Sequence, residues 1–296
     1  MRLDDLEESR HVEDRRMESG GGGRLSAGAL MMLWPLVRML LRTKVGWAIL
    51  GLGVLAYVAG FNPLSLLDGS AGVTRSVAQP SAREEQVATR MKKVLGSTET
   101  VWSGLLGAYG RRYDPPTLVL YRGSTRSGCG YARAQVGPFY CPADKKIYLD
   151  LGFFDELARK LHAGGDFAQA YVLAHEVGHA VQDQLGVLDR VHRLQQQALQ
   201  RGDKSRANRL QVPIELQADC YAGVWGHYAQ KHLEPGDVEE AINAARQIGD
   251  DTLQKRSQGY VVPDSFTHGS SRQRMEWFLL GFRSGDPKRC DPFLRP

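Results

Sequence analysis

"YVLAHEVGHAVQDQLG", Tyr171 to Gly186, decides how the rest of the chain reads. Two histidines bracket a glutamate inside a run that is otherwise apolar enough for a buried helix. Burying imidazoles and a carboxylate without partners costs free energy, so this segment requires a partner. On a helix, residues four apart share a face. His175 and His179 therefore point the same way, with Glu176 beside them. This is the HExxH arrangement, in which two imidazoles hold zinc and the carboxylate handles a proton. Gly186 supplies the helix stop.

A catalytic zinc needs a third protein ligand and an open coordination position. Leu185 stands where a metzincin would carry its third histidine, which removes that option. Downstream, "PIELQADCYAGVW" sets Glu215 and Asp219 four apart on an apolar helix that Pro213 is expected to start. Glu215 is the expected third ligand of one zinc ion. Asp219 is expected to accept a ring N–H from one histidine and fix its tautomer. The competing reading, a solvated helix face with an ion pair, sits poorly with such apolar neighbours. An oxyanion needs a further donor, and His268 in "SFTHGSSRQR" is the candidate, with Tyr260 a weaker one. A helix-capping, packed or exposed His268 is the plain alternative. His162, His192, His227 and His232 read as surface or core residues, and His11 lies in the N-terminal tail.

Outward from the histidine helix, "PPTLVLYRG" is a short β run. "QVGPFYC" and "KKIYLDLGFF" flank the turn "PADK" as a hairpin, whose edge either receives an extended substrate or is purely structural. Helical spacing predicts two helices in 83–109 broken near Gly96, with Ser97 and Thr98 as caps. Further helices are expected over 166–185, 188–201, 206–231, 236–255 and 270–284. In the last, Met275, Phe278, Leu279 and Phe282 face the core, and Arg272 or Arg274 is free to meet a substrate carboxylate. A small sheet followed by mostly helix gives an α+β domain with one core, over 83–296.

The N-terminal third has a different character. Residues 1–27 are polar, charged and glycine-rich, and are expected to be a disordered cytoplasmic tail. Residues 28–44 form a basic juxtamembrane segment broken by Pro35 and Arg38. "VGWAILGLGVLAYVAGF", Val45 to Phe61, carries no charge and would span roughly 25 Å as a helix. "NPLSLL" extends it to residue 67, enough for one transmembrane anchor. Residues 68–82 read as a linker. Arg24, Arg38, Arg42 and Lys44 precede the apolar stretch, and the next basic residue is Arg75, so charge places the N-terminus in the cytoplasm and the domain outside. A net charge of +5 without a nucleic-acid-reading motif gives no nucleic-acid partner.

The four cysteines avoid C-x-x-C spacing, which argues against a second metal site and suits an oxidising compartment. Cys129 and Cys141 would bridge around the hairpin, and Cys220 and Cys290 would tie the Glu215 helix to the C-terminus. Spacing alone leaves this connectivity open.

"HEVGH" followed by "ELQADC" resembles the gluzincin pattern. "ESRHVEDRR", "PFYCPADKKIYLDLGFF", "AHEVGHAVQ", "ELQADCYAGVW" and "HGSSRQRMEWFLLGF" together resemble the bacterial neutral zinc metallopeptidases of the YpfJ-like family, over nearly the whole chain. The resemblance implies a zincin-like fold, zinc, and hydrolysis of peptide bonds in a peptide or protein substrate; the basic residues before the apolar stretch are what place the domain on the outer side of the bacterial inner membrane. It does not imply which substrate. The gap between His179 and Glu215 is wider than in thermolysin-like enzymes and holds an extra polar helix. A zincin-fold scaffold that keeps zinc without turnover is the alternative. A membrane structural protein with a fortuitous motif is a third reading.

Overall fold

A computed structural model describes residues 1–18 and 79–292. Met1–Arg16 and the chain from Pro80 onward make up one compact unit, mainly helical, with a four-stranded sheet and a separate two-stranded one. The α+β expectation holds. The first sheet has the order β1 (Val12–Asp14), β2 (Thr117–Tyr121), β6 (Lys146–Asp150), β5 (Phe139–Cys141). β1, β2 and β6 run parallel, and β5 is antiparallel to β6. "TLVLY" and "KIYLD" are buried along nearly their whole length, as central parallel strands require. β5 and β6 form the expected hairpin, and Lys145 adopts a left-handed φ of 57° at its turn. β3 (Ser124–Ser127) and β4 (Gly130–Arg133) pair separately.

The helices are α1 (Ala82–Ala108), α2 (Gly152–Leu161), α3 (Asp166–Gln184), α4 (Val187–Gln200), α5 (Lys204–Tyr228), α6 (Asp237–Gln247), α7 (Asp250–Gln258) and α8 (Ser271–Ser284). α3 lies at the centre. Phe167, Ala170, Tyr171, Val177 and Ala180 on it are fully buried. Around it pack Met91 and Trp102 of α1, Trp225 of α5 and Phe278 of α8. The partly buried Met275, Leu279 and Phe282 join that core.

Several expectations need correction. The break at Gly96 is absent, because α1 is continuous. Thr98 there returns its hydroxyl to the Leu95 carbonyl, and the Ser97 hydroxyl accepts from the Trp225 indole, so neither residue is a cap. Pro213 lies inside α5 rather than at its start. The long helix expected over 236–255 is two, divided at Ile248 and Gly249. The described part of the tail, residues 1–18, is not disordered. It supplies β1 and runs along α1, where Ser9 and His11 both bond to Glu99. The Met1 amino group sits among Asp166, Glu234 and Asp237 at 2.7–3.2 Å.

Among the described residues no helix is long and apolar enough to cross a membrane. The juxtamembrane segment 28–44, the anchor expected over 45–67 and most of the 68–82 linker lie outside those residues. Cys129 pairs with Cys141, joining the β3–β4 turn to β5, and Cys220 pairs with Cys290.

Candidate active site

Three helices build the site, and small residues set their spacing. Gly178, inside the HEVGH run, faces Ala218 of α5, and a Cβ there would meet the Ala218 carbonyl oxygen at 3.0 Å. The missing side chain lets α3 and α5 approach closely just where His175, His179, Glu215 and Asp219 must meet. On the other side of α5, Gly223 leaves room for the backbone at Phe278, and Gly281 of α8 for the backbone at Cys220. That second close crossing brings Arg274 of α8 to Asp219.

The result is a convergence of donors. The Nε2 atoms of His175 and His179 lie 3.3 and 3.6 Å from the same Glu215 oxygen, Oε2. The rings stand edge to face, with centroids 4.8 Å apart. Each histidine turns its other nitrogen away to a fixed acceptor. Nδ1 of His175 is 2.8 Å from Asp219 Oδ1, and Nδ1 of His179 is 2.8 Å from Gln182 Oε1. Acceptors on Nδ1 hold the tautomer that leaves the Nε2 lone pairs for a metal. Two imidazole nitrogens and one carboxylate oxygen are a borderline-soft donor set suited to zinc. Tetrahedral ligands at about 2.0–2.1 Å lie roughly 3.3–3.4 Å from one another. The two His–Glu separations fall close to that value, and all three donor atoms lie within 4.8 Å of one another, so the donor set fits zinc. Gln211 Nε2 donates to Glu215 Oε1 at 2.8 Å, which keeps Oε2 aimed at the histidines.

Behind the ligands lies a buried charge network. Asp219, fully buried, accepts from Tyr171 OH at 2.6 Å and from Arg274 Nε and Nη2 at 2.8 and 2.9 Å. Burial pushes the Asp219 carboxyl up, but Arg274 and then His175 outweigh it and hold the group at about 2. Burial likewise pushes the His175 imidazolium down, and the Asp219 charge overrides it, carrying the ring to about 10. Glu215, also pushed up by burial, is held well below the ordinary carboxylate range, first by His179 and then by His175.

Glu176 lines the same cleft as the three donors and is almost fully buried. The cleft has a volume of about 480 Å³, and Phe139, Phe153, Leu188, Ile248 and Leu253 give it apolar walls. Leu188 belongs to α4, so the extra helix between His179 and Glu215 forms part of the wall. His268 also lines the cleft. Its backbone N–H and those of Thr267 and Gly269 all donate to Asp250 Oδ2, at 2.6, 2.7 and 3.0 Å. Its Nδ1 lies 3.4 Å from Asp250 Oδ1. Hydrogen bonding to Asp250 raises the His268 ring above its ordinary value against the effect of burial, and the Glu215 charge adds to the rise.

His175, Glu176, His179, Glu215, Asp219 and His268 thus come together. Tyr260 does not: it is 63% exposed and outside the cleft lining. Arg272 is exposed and pairs with Glu276, whereas Arg274 is buried on Asp219. Neither stands free for a substrate carboxylate. Sequence reasoning passed over Gln182, Gln211, Tyr171 and Asp250. Gln182 follows His179 by three positions, a helical-face spacing that points to it.

The family model described as "Putative neutral zinc metallopeptidase" matches residues 1–293. The chain is 47% identical over 302 residues to "Uncharacterized protein YpfJ" of Escherichia coli K12, covering 99% of each. It is 43% identical over 210 residues to "Uncharacterized protein Rv2575" of Mycobacterium tuberculosis H37Rv, covering 67% of each. No solved structure matches. A His-His-Glu group able to hold a metal, found within a match that runs almost end to end, leads to one conclusion: the chain belongs to the family described as putative neutral zinc metallopeptidase.

Proposed function

We propose that the protein is a zinc-dependent peptidase that cleaves peptide bonds at the cleft beside α3. The observation that carries this reading is the meeting of His175 Nε2, His179 Nε2 and Glu215 Oε2 next to Glu176. These three residues would hold the zinc, and Asp219 and Gln182 would orient the two rings. Zinc bound there supplies a Lewis acid for the scissile carbonyl and lowers the pKa of water towards ~7.

Glu176 accepts a proton from the attacking water and returns it to the leaving amine. His268 donates to the developing oxyanion. Thr267 Oγ1 and Asp250 Oδ1 lie 3.0 and 3.4 Å from Nδ1; with both accepting, Nδ1 carries a proton, and donation from Nε2 then needs the second proton. β5 is an edge strand, and Phe139 and Tyr140 on it border the cleft. An extended substrate can add to that edge, with backbone hydrogen bonds for affinity and the apolar walls for side-chain choice. The uncharged stretch 45–67 supports attachment to a membrane, and the two cysteine pairs suit an oxidising compartment.

The test is a mixed peptide library incubated with the full-length protein and read by mass spectrometry. Cleavage that stops on chelation and returns with added zinc is the expected result. An intact library in the presence of bound zinc would instead favour a silent scaffold.

The His268 assignment predicts a pH dependence. A donor that works as imidazolium is present below its raised pKa and lost as pH rises through it. Around the ring stand Asp250 and Glu215, which favour the cation, and Arg274, which disfavours it. The kcat profile is therefore expected to fall on the alkaline side at a pH above the ordinary histidine value of about 6.5. Asp250→Asn keeps an acceptor oxygen but removes the charge, and should move that limb to lower pH. A limb that stays in place in Asp250→Asn removes His268 from the chemistry.

A further inference from the structure

We infer that the N-terminal segment 1–16 and the domain from residue 80 onward lie on the same side of any lipid bilayer the chain enters. Residues either side of the apolar stretch 45–67 carry this inference, whatever path the intervening chain takes.

Residues 1–16 are built into the fold at every level. β1 lies parallel to β2 with Val12, Glu13 and Asp14 opposite Leu118, Val119 and Leu120. The Leu118 N–H donates to the His11 carbonyl and the Arg15 N–H to the Leu120 carbonyl, both at 2.8 Å. Beyond the strand, the Ser9 N–H donates to the Lys92 carbonyl at 3.1 Å and the Arg2 N–H to the His232 carbonyl at 2.8 Å. Lys93 Nζ reaches the Leu3 carbonyl at 2.9 Å. Arg16 is only 2% exposed, with Asp14 and Glu85 around its guanidinium. The fit is also steric: a Cβ on Gly96 of α1 would stand 2.6 Å from the Glu7 carbonyl oxygen. Gly96, which reads in the sequence as a helix break, is a landing place for the tail.

A single crossing would put residues 1–16 and the domain on opposite faces of a hydrocarbon core about 30 Å thick. β2 would then lose β1, one of its two parallel neighbours, and expose one row of strand N–H and C=O groups. A second copy could not replace β1, because every copy inserted the same way has its tail on the far face. The orientation expected from Arg24, Arg38, Arg42, Lys44 and Arg75 presumes one crossing, so it does not carry over.

Cysteine accessibility in cells making the full-length protein tests this directly. All four native cysteines are paired, so the unaltered chain gives the background. Arg10→Cys in the tail and Arg193→Cys on α4 are exposed positions. Each single variant is treated with a membrane-impermeant maleimide in intact and in permeabilised cells. Both are expected to label in intact cells, or both only after permeabilisation. One labelled and the other protected in intact cells would overturn the inference. Asp4→Cys with Arg201→Cys, also exposed, repeats the comparison should either first variant fail to accumulate.

Discussion

Glu176→Gln will lower kcat about 10³-fold while leaving the metal content of the purified protein unchanged. The magnitude is that of a lost general base, roughly 10²–10⁴-fold. Glutamine has nearly the same shape as glutamate but cannot take up the proton. Glu176 is not one of the three donors that face each other, so the His-His-Glu group keeps its geometry. The interaction lost is made in the transition state, and kcat and kcat/KM should therefore fall together with KM little changed. Metal content by elemental analysis and turnover on one cleaved library peptide measure the two halves separately. Equal turnover in variant and parent would mean that another group handles the proton. Loss of metal in the variant would mean that Glu176 helps to hold it.

The reach of the sequence can be judged residue by residue. His175, Glu176, His179, Glu215 and Asp219 were legible because their spacing within each helix is local, and a helix of known pitch turns spacing into direction. That the two helices meet was inferred from matching polar pairs on apolar faces. What permits the meeting is Gly178 against Ala218, and no periodic signal marks such a contact. Arg274 shows the other limit. Its position in a helix was expected, but its partner lies 55 residues earlier, and nothing within α8 says that its charge is spent inward. Asp250 was hidden for a similar reason, since it reaches His268, in the loop before α8, from the start of α7.

β1 was illegible in a different way. "VED" is short and mostly charged, and only the pairing with "TLVLY" makes it a strand. Strand identity there belongs to the sheet rather than to the segment. Glu13 illustrates the point, because its carboxylate is taken up by Arg15 and by Lys146 of β6. Pro213 misled because proline favours first turns. Inside α5 it removes one backbone donor, and the packing of Ile214 and of the whole half-helix that follows outweighs that loss.

Arg274→Met will destabilise the protein by about 3–5 kcal/mol, the usual cost of removing one partner of a buried ion pair. Asp219 is fully buried and Arg274 is 2% exposed, so solvent cannot replace the missing charge. Tyr171 and His175 would still donate to Asp219, but neither supplies a permanent cation, and the carboxylate would compete for a proton on His175. That proton sits on the far side of the ring from Nε2, so the ring's orientation towards Glu215 depends on how Asp219 is held. Two effects should therefore appear together: a lower denaturation midpoint in metal-free buffer and weaker zinc binding. Arg274→Lys separates charge from geometry. A lysine ammonium is a point charge and cannot bond both Asp219 oxygens in the fork that Nε and Nη2 make, so it should recover only part of the stability. Adding Asp219→Asn to Arg274→Met removes the stranded charge, and the double variant should be more stable than Arg274→Met alone. Additive losses in that cycle would show that Arg274 acts through packing rather than through Asp219. The coupled outcome places the third helix, α8, in the support of the metal group, since a side chain that touches no ligand oxygen or Nε2 atom would still set how one of the two rings faces Glu215.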